Sequence, residues 1–362
     1  MSDIAIIYGG RSGEHEVSCI SAAAVLNNLN PDHRAILIGI SRKGIWYLQD
    51  IPSPIPGSLG IIEQSSRRIS ISPGAGLFSS EGERIHIDAV IPVTHGSFGE
   101  DGRLQGLLET AGVAYAGSGV SGSATAMDKD TAKRLWLQAG LPVVPWKTLY
   151  AGRNNRTDFS EKKISPEILF EELGRPLFVK PANAGSSVGV SRVENEKELN
   201  TALKKAWRFD RKVLVEKAVI GREIECSVMG YATPQAYPPG EIIPAGMHEF
   251  YDYDAKYTDP DGALLKVPAD LSENLERRIM RTAEKAYRVI EAGGFSRVDF
   301  LLEEGSGNIY INEINTLPGM TPISLFPRMI SAAGVDFTSM LEKMIEGALE
   351  EFAFRESLSY RK

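Results

Sequence analysis

The chain has 362 residues, enough for two or three domains with large buried cores. Its 43% hydrophobic and 24% charged residues are typical of a globular protein, and a net charge of −7 argues against a nucleic-acid partner, which would require a basic face. Nothing resembles a membrane span or a signal peptide, and Cys19 and Cys226 lack metal-ligand spacing. We therefore expect a cytoplasmic protein without a disulfide framework.

The first third of the chain alternates strand and helix patterns, which predicts a parallel sheet whose ligands gather at the carboxyl ends of the strands. We expect strands at residues 4–8, 35–40, 87–93 and 113–116, and helices at residues 18–29 and 104–111. Residues 44–85 are rich in Ser, Pro and Gly, so we predict an irregular excursion there.

The segment YGGRSGEHEVS follows the first strand and opens a helix, whose first amides could bind an anion. Its adjacent glycines do not fit the spacing of a nicotinamide dinucleotide site. Glu14, Glu16 and Ser18 remain as polar groups beside the helix start. They either cap the helix, or one of them faces a cationic substrate group while another caps.

A second polar loop, THGSFGEDGRLQG, follows the strand at residues 87–93. His95 in this loop could hydrogen-bond a ligand, although a loop histidine is more often structural. Glu100 and Asp101 are placed to favour the dipole of the following helix.

The middle of the chain begins with a predicted helix at residues 124–139 and a polar loop at residues 151–163. The segment FVKPANAGSSVGVSRV then places Lys180 at a strand end, followed by a loop of glycines and serines. A strand lysine beside such a flap suits charge neutralisation over phosphates, although this is no Walker loop. The alternative is an ordinary surface turn.

The segment VLVEKAVIGREIE places Glu216 and Lys217 at another strand end, with Glu223 soon after, where a carboxylate could bind ribose hydroxyls. Such acids also commonly face solvent. Further on, Gly246–Gly262 holds four aromatic and four Asp residues, which is unsuitable for a core strand. We predict an active-site cover there, with a plain surface loop as the alternative.

Arg297–Asn315 reads as a metal-binding hairpin. A hairpin symmetric about Ser306 sets Asp299 opposite Glu313, and carboxylates about 5 Å apart repel by about 3 kcal/mol at an effective dielectric of 20. A hard cation reverses that sign, and ligands of oxygen alone favour Mg²⁺ or Mn²⁺. The alternative is a surface hairpin with unpaired acids. Helices are predicted on either side, at residues 274–292 and 339–352.

Two long segments, HGSFGEDGRLQG and the region from SRVDF through NEINTLPGMTPISLFP, resemble the D-alanine–D-alanine ligase family of the ATP-grasp superfamily. The similarity runs over nearly the whole chain. It implies an α/β ATP-grasp fold with an N-terminal parallel-sheet domain at residues 1–126, a central nucleotide-flap domain at 127–217 and a C-terminal metal and substrate domain at 218–362. It also implies ATP-dependent ligation of two D-alanines through a D-alanyl phosphate.

The resemblance assigns roles to matching positions. ATP-binding roles fall to Lys129, Lys180, Ser187, Glu216, Lys217, Val219 and Glu223. Two Mg²⁺ or Mn²⁺ ions would be held by Asp299, Glu313 and Asn315. Substrate-binding roles fall to Glu14, His95, Lys256, Ser324 and Leu325. Catalytic roles fall to Glu14, Ser186, Tyr257, Arg297 and Gly319, of which Glu14, Ser186 and Tyr257 would form a hydrogen-bonded triad.

Two other functions compete with the ligase. A binding module without catalysis is disfavoured by the intact set of charged residues, and a nicotinamide oxidoreductase is disfavoured by the glycine spacing. The resemblance further implies a homodimer with D-alanine and ATP as its small-molecule substrates. It also implies an amine as the second substrate, since relatives that make D-alanyl-D-lactate differ in the loop that carries Tyr257.

Overall fold

The computed structural model describes residues 1–151, 157–158, 165–244 and 263–359. Within these ranges the strands are β1 Asp3–Gly9, β2 Arg34–Ile40, β3 Trp46–Gln49, β4 Ile69–Ser72, β5 Gly76–Ser79, β6 Arg84–Ile85, β7 Ala89–Pro92, β8 Trp146–Ala151, β9 Thr157–Asp158, β10 Leu177–Pro181, β11 Ser191–Val193, β12 Lys212–Lys217, β13 Gly221–Met229, β14 Gln235–Ala236, β15 Gly240–Pro244, β16 Ala263–Lys266, β17 Phe295–Glu303 and β18 Ile309–Asn315. The helices in the same ranges are α1 His15–Asn28, α2 Arg103–Ala111, α3 Val120–Met127, α4 Lys129–Gln138, α5 Pro166–Leu173, α6 Glu196–Ala206, α7 Glu273–Val289, α8 Leu325–Ala332 and α9 Phe337–Ser357. None of these helices is long and apolar enough to cross a membrane.

The first sheet has the order β3-β2-β1-β7 and is parallel only in its last three strands. The prediction of a parallel sheet is confirmed for β2, β1 and β7 but is wrong at the edge, where an additional strand, β3, pairs antiparallel with β2 through a short connection. The predicted strand at residues 113–116 is also wrong. There Tyr115 forms a single bridge to Val90, and no strand follows from it.

Residues 44–85 hold more regular structure than predicted. Besides β3, this segment contains the whole of a three-stranded antiparallel sheet of order β4-β5-β6. The strands are only two to four residues long, and their alternating pattern is correspondingly short. Likewise, the polar loop predicted at 151–163 includes the two-residue strand β9, which pairs with β8.

The single helix predicted at residues 124–139 is wrong, because α3 and α4 meet at Asp128. Asp128 has extended backbone angles, φ −88° and ψ 95°, and its side chain accepts a hydrogen bond from the Thr131 amide. It is therefore the N-cap of α4, which satisfies an amide that a helix start would otherwise leave unpaired. This break turns the start of α4, with Lys129, toward the central sheet, where the Lys129 amide donates to the Ala182 carbonyl.

The other two large sheets are antiparallel. The central sheet has the order β11-β10-β12-β8-β9, and the C-terminal sheet has the order β16-β15-β13-β17-β18 with β14 beside β13. The predicted hairpin register is confirmed, since Asp299 lies opposite Glu313 and Arg297 opposite Asn315. Phe300 then pairs with Ile311, so a bulge at Asn312 shifts the register toward the turn.

Separate apolar cores lie beneath these sheets. One packs α1 and α9 beside the first sheet, another packs α4 and α7 on β13 and β17, and a third fills the central sheet under α5 and α6. The polar ends of the strands, and the loops that follow them, therefore lie outside these apolar cores. There the strand ends and loops meet one another. The predicted domain limits at 126/127 and 217/218 stay a prediction.

We expect Asp128→Ala to lower the free energy of unfolding by about 1–2 kcal/mol, because the Thr131 amide loses its acceptor at the start of α4. Urea denaturation measures this change. Asp128 also pairs with Lys212, at 2.5 Å between carboxylate and ammonium. Asp128→Asn keeps the capping oxygen and removes that pair, so it should retain most of the stability. If Asp128→Asn and Asp128→Ala lower the free energy of unfolding equally, the ion pair and not the cap stabilises this junction.

Candidate active site

The hairpin β17–β18 presents a row of polar groups that contact each other. Arg297 donates from Nε and Nη2 to the two oxygens of Asp299, both at 2.7 Å. The Arg297 Nε also lies 3.0 Å from Glu225 on β13. Asn315 Nδ2 donates to Asp299 at 2.9 Å. Burial alone would lower the pKa of Arg297, but Asp299 and Glu225 raise it well above its ordinary value.

Glu313, the other acid of the hairpin, faces Lys129 at the start of α4. The two are 3.2 Å apart, and Lys129 Nζ also donates to the Ala184 carbonyl at 2.7 Å. Lys129 therefore ties the hairpin to the glycine-rich segment after β10.

Lys180 at the end of β10 lies over Glu216 on β12. Its Nζ is 2.9 Å from Glu216 Oε2 and 3.1 Å from Asn312 Oδ1, at the bulge of the hairpin. A second lysine, Lys133, lies 2.7 Å from the other carboxylate oxygen, Oε1. Burial acts to raise the pKa of Glu216, but the two lysines lower it to about 2. The Glu216 carboxylate is thus ionised although it is buried.

The glycine and serine loop after Lys180, which includes residues 186–189 and is hereafter called the flap, folds toward α1. Ser186 and Ser187 take left-handed backbone angles, with φ of 48° and 57°, and the Ser186 hydroxyl donates to the Glu14 carboxylate. Glu14 occupies the N-cap position of α1 but makes no capping hydrogen bond with its side chain. The capping interpretation is therefore wrong for Glu14, which faces the flap. Glu16 pairs with Arg42.

His95 is buried, at 4% exposure, and both ring nitrogens have protein partners. Nδ1 lies 2.9 Å from the Leu317 carbonyl, and Nε2 lies 3.0 Å from the Ser21 hydroxyl. Burial lowers the pKa of His95, so the ring is neutral, with the proton on Nδ1 to donate to the carbonyl. His95 thereby fixes residues 316–320 against α1.

Glu100 differs from the prediction that it favours the dipole of α2. Its carboxylate accepts from the Gly96 amide, and it lines the same cavity as Glu14 and Glu313. Asp101 serves the helix start instead, accepting from the Arg103 amide at 3.2 Å. Burial and the Glu14 carboxylate raise the pKa of Glu100 to about 8.

Two adjoining cavities collect these groups. The first, of about 140 Å³, is lined by residues that include Glu14, His95, Glu100, Lys129, Ser186, Arg297, Glu313, Asn315, Gly319, Ser324 and Leu325. The second, of about 460 Å³, is lined by residues that include Lys129, Lys180, Ser186, Ser187, Glu216, Lys217, Val219, Glu223, Asp299 and Glu313. Thus the predicted site residues that the structure describes all lie in one continuous region. Lys256, Tyr257 and the cover at Gly246–Gly262 lie outside the described residues.

Around Gly319 the backbone comes close to Ser324. A Cβ atom at position 319 would lie 2.7 Å from the Ser324 hydroxyl oxygen, which also accepts from the Thr321 amide at 3.1 Å. Glycine therefore permits this tight turn beside Arg297 in the cavity.

Sequence reasoning missed Lys133, Glu225 and Asn312. A signal existed for the first two, since Lys133 is four residues after Lys129 on a helix, and Glu225 is two after Glu223 on a strand. The bulge that places Asn312 beside Lys180 had no such signal.

The hairpin fits a hard divalent cation by its chemistry. Asp299, Glu313 and Asn315 offer carboxylate and amide oxygens, which Mg²⁺ and Mn²⁺ prefer. Among the described residues, no group of three or more His, Cys, Asp or Glu side chains is placed to hold a metal ion by itself. The oxygen set is thus one that substrate phosphates and water would complete.

Comparison with known proteins covers nearly the whole chain. Residues 3–118 match the sequence model of the D-ala D-ala ligase N-terminus, and residues 135–346 match that of the D-ala D-ala ligase C-terminus. The chain is 43% identical over 359 residues to a D-alanine–D-alanine ligase of Treponema denticola, covering 97% of this chain and 96% of the relative.

Solved structures agree with these matches. The D-alanine–D-alanine ligase from Coxiella burnetii superimposes with a TM-score of 0.82 at 32% identity, covering 98% of this chain and 97% of the other. The VanG D-Ala:D-Ser ligase from Enterococcus faecalis gives a TM-score of 0.80 at 34% identity, covering 96% and 99%.

The protonated Glu100 predicts a pH effect on stability. Between the ordinary value of 4.5 and about 8, the folded chain keeps a proton that the unfolded chain releases. The contribution of Glu100 to stability should therefore fall as pH rises through this window, by up to about 1.4 kcal/mol per pH unit. In urea titrations, the stability of Glu100→Gln relative to the unmodified chain should then increase from pH 5 to pH 8.

Glu81→Gln, in an exposed turn, is the matched control for the charge removed. A stability difference for Glu100→Gln that stays constant over this pH range would contradict a protonated Glu100.

Proposed function

This chain belongs to the D-alanine–D-alanine ligase family, and we propose that it joins two D-alanines into D-alanyl-D-alanine for peptidoglycan synthesis, with ATP as co-substrate. The observation that carries the proposal is the meeting of Lys129, Lys180 and Arg297 with Asp299 and Glu313 on adjoining cavities. Family membership and this charged geometry support the same enzyme, a ligase that forms a C–N bond.

The reaction needs ATP because a carboxylate does not acylate an amine near neutral pH. Transfer of the γ-phosphoryl group to the first D-alanine gives an acyl phosphate and ADP. The amine of the second D-alanine attacks the acyl carbon, and the tetrahedral intermediate expels phosphate. Catalysis therefore requires neutralised phosphoryl charge, a stabilised oxyanion and exclusion of water.

For the nucleotide, we assign the phosphates to Lys129 and Lys180, with Ser187 in the flap above them. Glu216, Lys217 and Val219 would frame the adenine, and Glu223 would bind the ribose. The placement of these residues along the larger cavity supports the assignment.

For the substrates, Glu14 would bind the ammonium of the first D-alanine, within reach of the flap through Ser186. Arg297 and the Gly319 amide would stabilise the oxyanion, since both line the smaller cavity. Ser324 and Leu325, together with Lys256, would hold the carboxylate of the second D-alanine. The triad of Glu14, Ser186 and Tyr257 stays a prediction. His95 would act by holding the cavity wall, because both its ring nitrogens contact protein atoms.

Two Mg²⁺ or Mn²⁺ ions would be held by Asp299, Glu313 and Asn315. When bound, they would neutralise charge on the transferred phosphoryl group. The chain's own residues must then exchange partners: Glu313 would release Lys129, whose ammonium becomes available to phosphate. The homodimer and the cytoplasmic location also stay proposals.

The test is phosphate release from ATP with D-alanine, with L-alanine, and with D-alanine plus D-lactate or D-serine, with products identified by mass spectrometry. We expect release with D-alanine and not with L-alanine, and D-alanyl-D-alanine as the main product. Absence of D-alanine-dependent release would leave a binding module. Preference for D-serine would place the chain with D-Ala:D-Ser ligases such as the VanG relative.

We expect Asp299→Asn and Glu313→Gln each to reduce kcat by at least about 100-fold, because each removes a carboxylate proposed to hold the cations. Circular dichroism should show an unchanged fold. Glu304→Gln, in the exposed turn of the same hairpin, is the control and should keep wild-type turnover. Wild-type turnover of either site variant at limiting Mg²⁺ would overturn the metal assignment.

We expect Lys180→Ala to raise the KM for ATP and to lower kcat, each by about tenfold or more, since its charge follows the phosphoryl group into the transition state. Steady-state kinetics with varied ATP measure both. Lys197→Ala, on the exposed face of α6, should leave both constants unchanged. If Lys180→Ala behaves like this control, Lys180 has no part in nucleotide binding.

A further inference from the structure

Lys133 is a fully buried lysine without a role in the function proposed above. It lies on α4 with 0% exposure, and its Nζ is 2.7 Å from Glu216 Oε1. Its other described neighbours are the Val144 carbonyl, 3.4 Å from Nζ, and the Trp146 ring, whose centre lies 5.7 Å away. Lys133 is not among the residues that line the two site cavities. Lys133 therefore touches no ligand in these cavities, and its nearest charged contact is Glu216.

Glu216 connects Lys133 to the larger of the two cavities, to which we assign the nucleotide. One carboxylate oxygen faces Lys133, and the other lies 2.9 Å from Lys180 Nζ. Burial lowers the pKa of Lys133 from its ordinary value, while Glu216 acts to raise it. With the Lys133 ammonium protonated beside the Glu216 carboxylate, Lys133, Glu216 and Lys180 together carry one net positive charge. If Lys133 were neutral, Glu216 and Lys180 would form a pair with no net charge.

Other carboxylates around Lys180 increase the effect that a neutral Lys133 would have on its charge. Glu313 and Glu223 also attract its ammonium, in addition to Glu216. A lysine that faces several carboxylates offers little charge to a phosphate unless some of them are neutralised by other groups. Among the described residues, Lys133 is the cation that neutralises Glu216 from the side away from the cavity.

We infer that Lys133 is a positioning residue that neutralises Glu216 and so leaves the charge of Lys180 available to the phosphates of ATP. The inference rests on the proposed nucleotide binding. A purely structural function fits less well, because an apolar side chain of similar volume usually serves a buried position at least as well as an ion pair. The strongly lowered pKa of Glu216 agrees with a carboxylate held between two ammonium groups.

The experiment compares the dissociation constants of adenosine and ADP in one Mg²⁺ buffer, measured by calorimetry or by displacement. The dissociation constant of adenosine divided by that of ADP reports how much the phosphates contribute to affinity. Losses in base binding cancel in this ratio. We expect the ratio to fall about tenfold or more in Lys133→Met. In the double variant Lys133→Met/Glu216→Gln, the Glu216 charge that offsets Lys180 is removed together with Lys133, so the ratio should return to within about threefold of the wild-type value.

Lys147→Met is the matched control, since Lys147 lies on β8 opposite Val215, beside Glu216, yet pairs with Glu172. Its ratio should be that of the wild type. An unchanged ratio in Lys133→Met, or a ratio that stays low in the double variant, would overturn the inference. Thermal unfolding identifies a variant that fails to fold. If Lys133→Met fails, Lys133→Gln, which keeps a polar group beside Glu216 but no charge, takes its place and should show the same fall in the ratio.

Failure of the proposed function is a separate result. If the wild-type chain binds neither ADP nor adenosine, the nucleotide site itself is wrong. If it binds both and Lys133→Met keeps the wild-type ratio, only the role of Lys133 fails.

Discussion

The site depends on carboxylates that the hairpin β17–β18 forces together. Asp299 and Glu313 lie directly opposite in the ladder, an arrangement that destabilises a sheet unless a cation intervenes. In this structure Arg297 neutralises the first and Lys129 the second. The sheet geometry thus requires positive charge at this point, and the ligase reaction requires positive charge at the same point to hold phosphates.

Ligand binding at such a site is an exchange of partners. Lys129, Lys180 and Arg297 each contact a carboxylate before any substrate arrives. Phosphates and divalent ions would take over these groups, so the ion pairs lost are replaced by new ones at little net cost in buried charge. Removing one member of such a half-buried pair, by contrast, leaves its partner uncompensated. Charge-preserving and charge-removing substitutions should therefore differ sharply here.

The sequence predicted the hairpin register because side chains alternate with a period of two and a Gly-containing turn fixes the centre. It did not predict the break at Asp128, because a capping aspartate and a mid-helix aspartate look alike without the flanking backbone angles. It also missed Lys133, since a lysine on a helix is normally solvated. Lys133 becomes a buried partner of Glu216 only when α4 packs beside the central sheet, a contact between distant parts of the chain. The family resemblance named many site residues that local patterns left ambiguous.

The flap shows how backbone strain and polar contacts are balanced in this fold. Ser186 and Ser187 both take positive φ, a conformation that costs a non-glycine residue of order 1 kcal/mol. Glycine would adopt it freely, but glycine has no hydroxyl to donate to Glu14. Serine at position 186 therefore has a less favourable backbone conformation than glycine would have, but it supplies a hydrogen bond that links the central flap to α1. Because Glu14 is also the proposed partner of the substrate ammonium, closure of the flap and occupation of the substrate site would act on the same carboxylate.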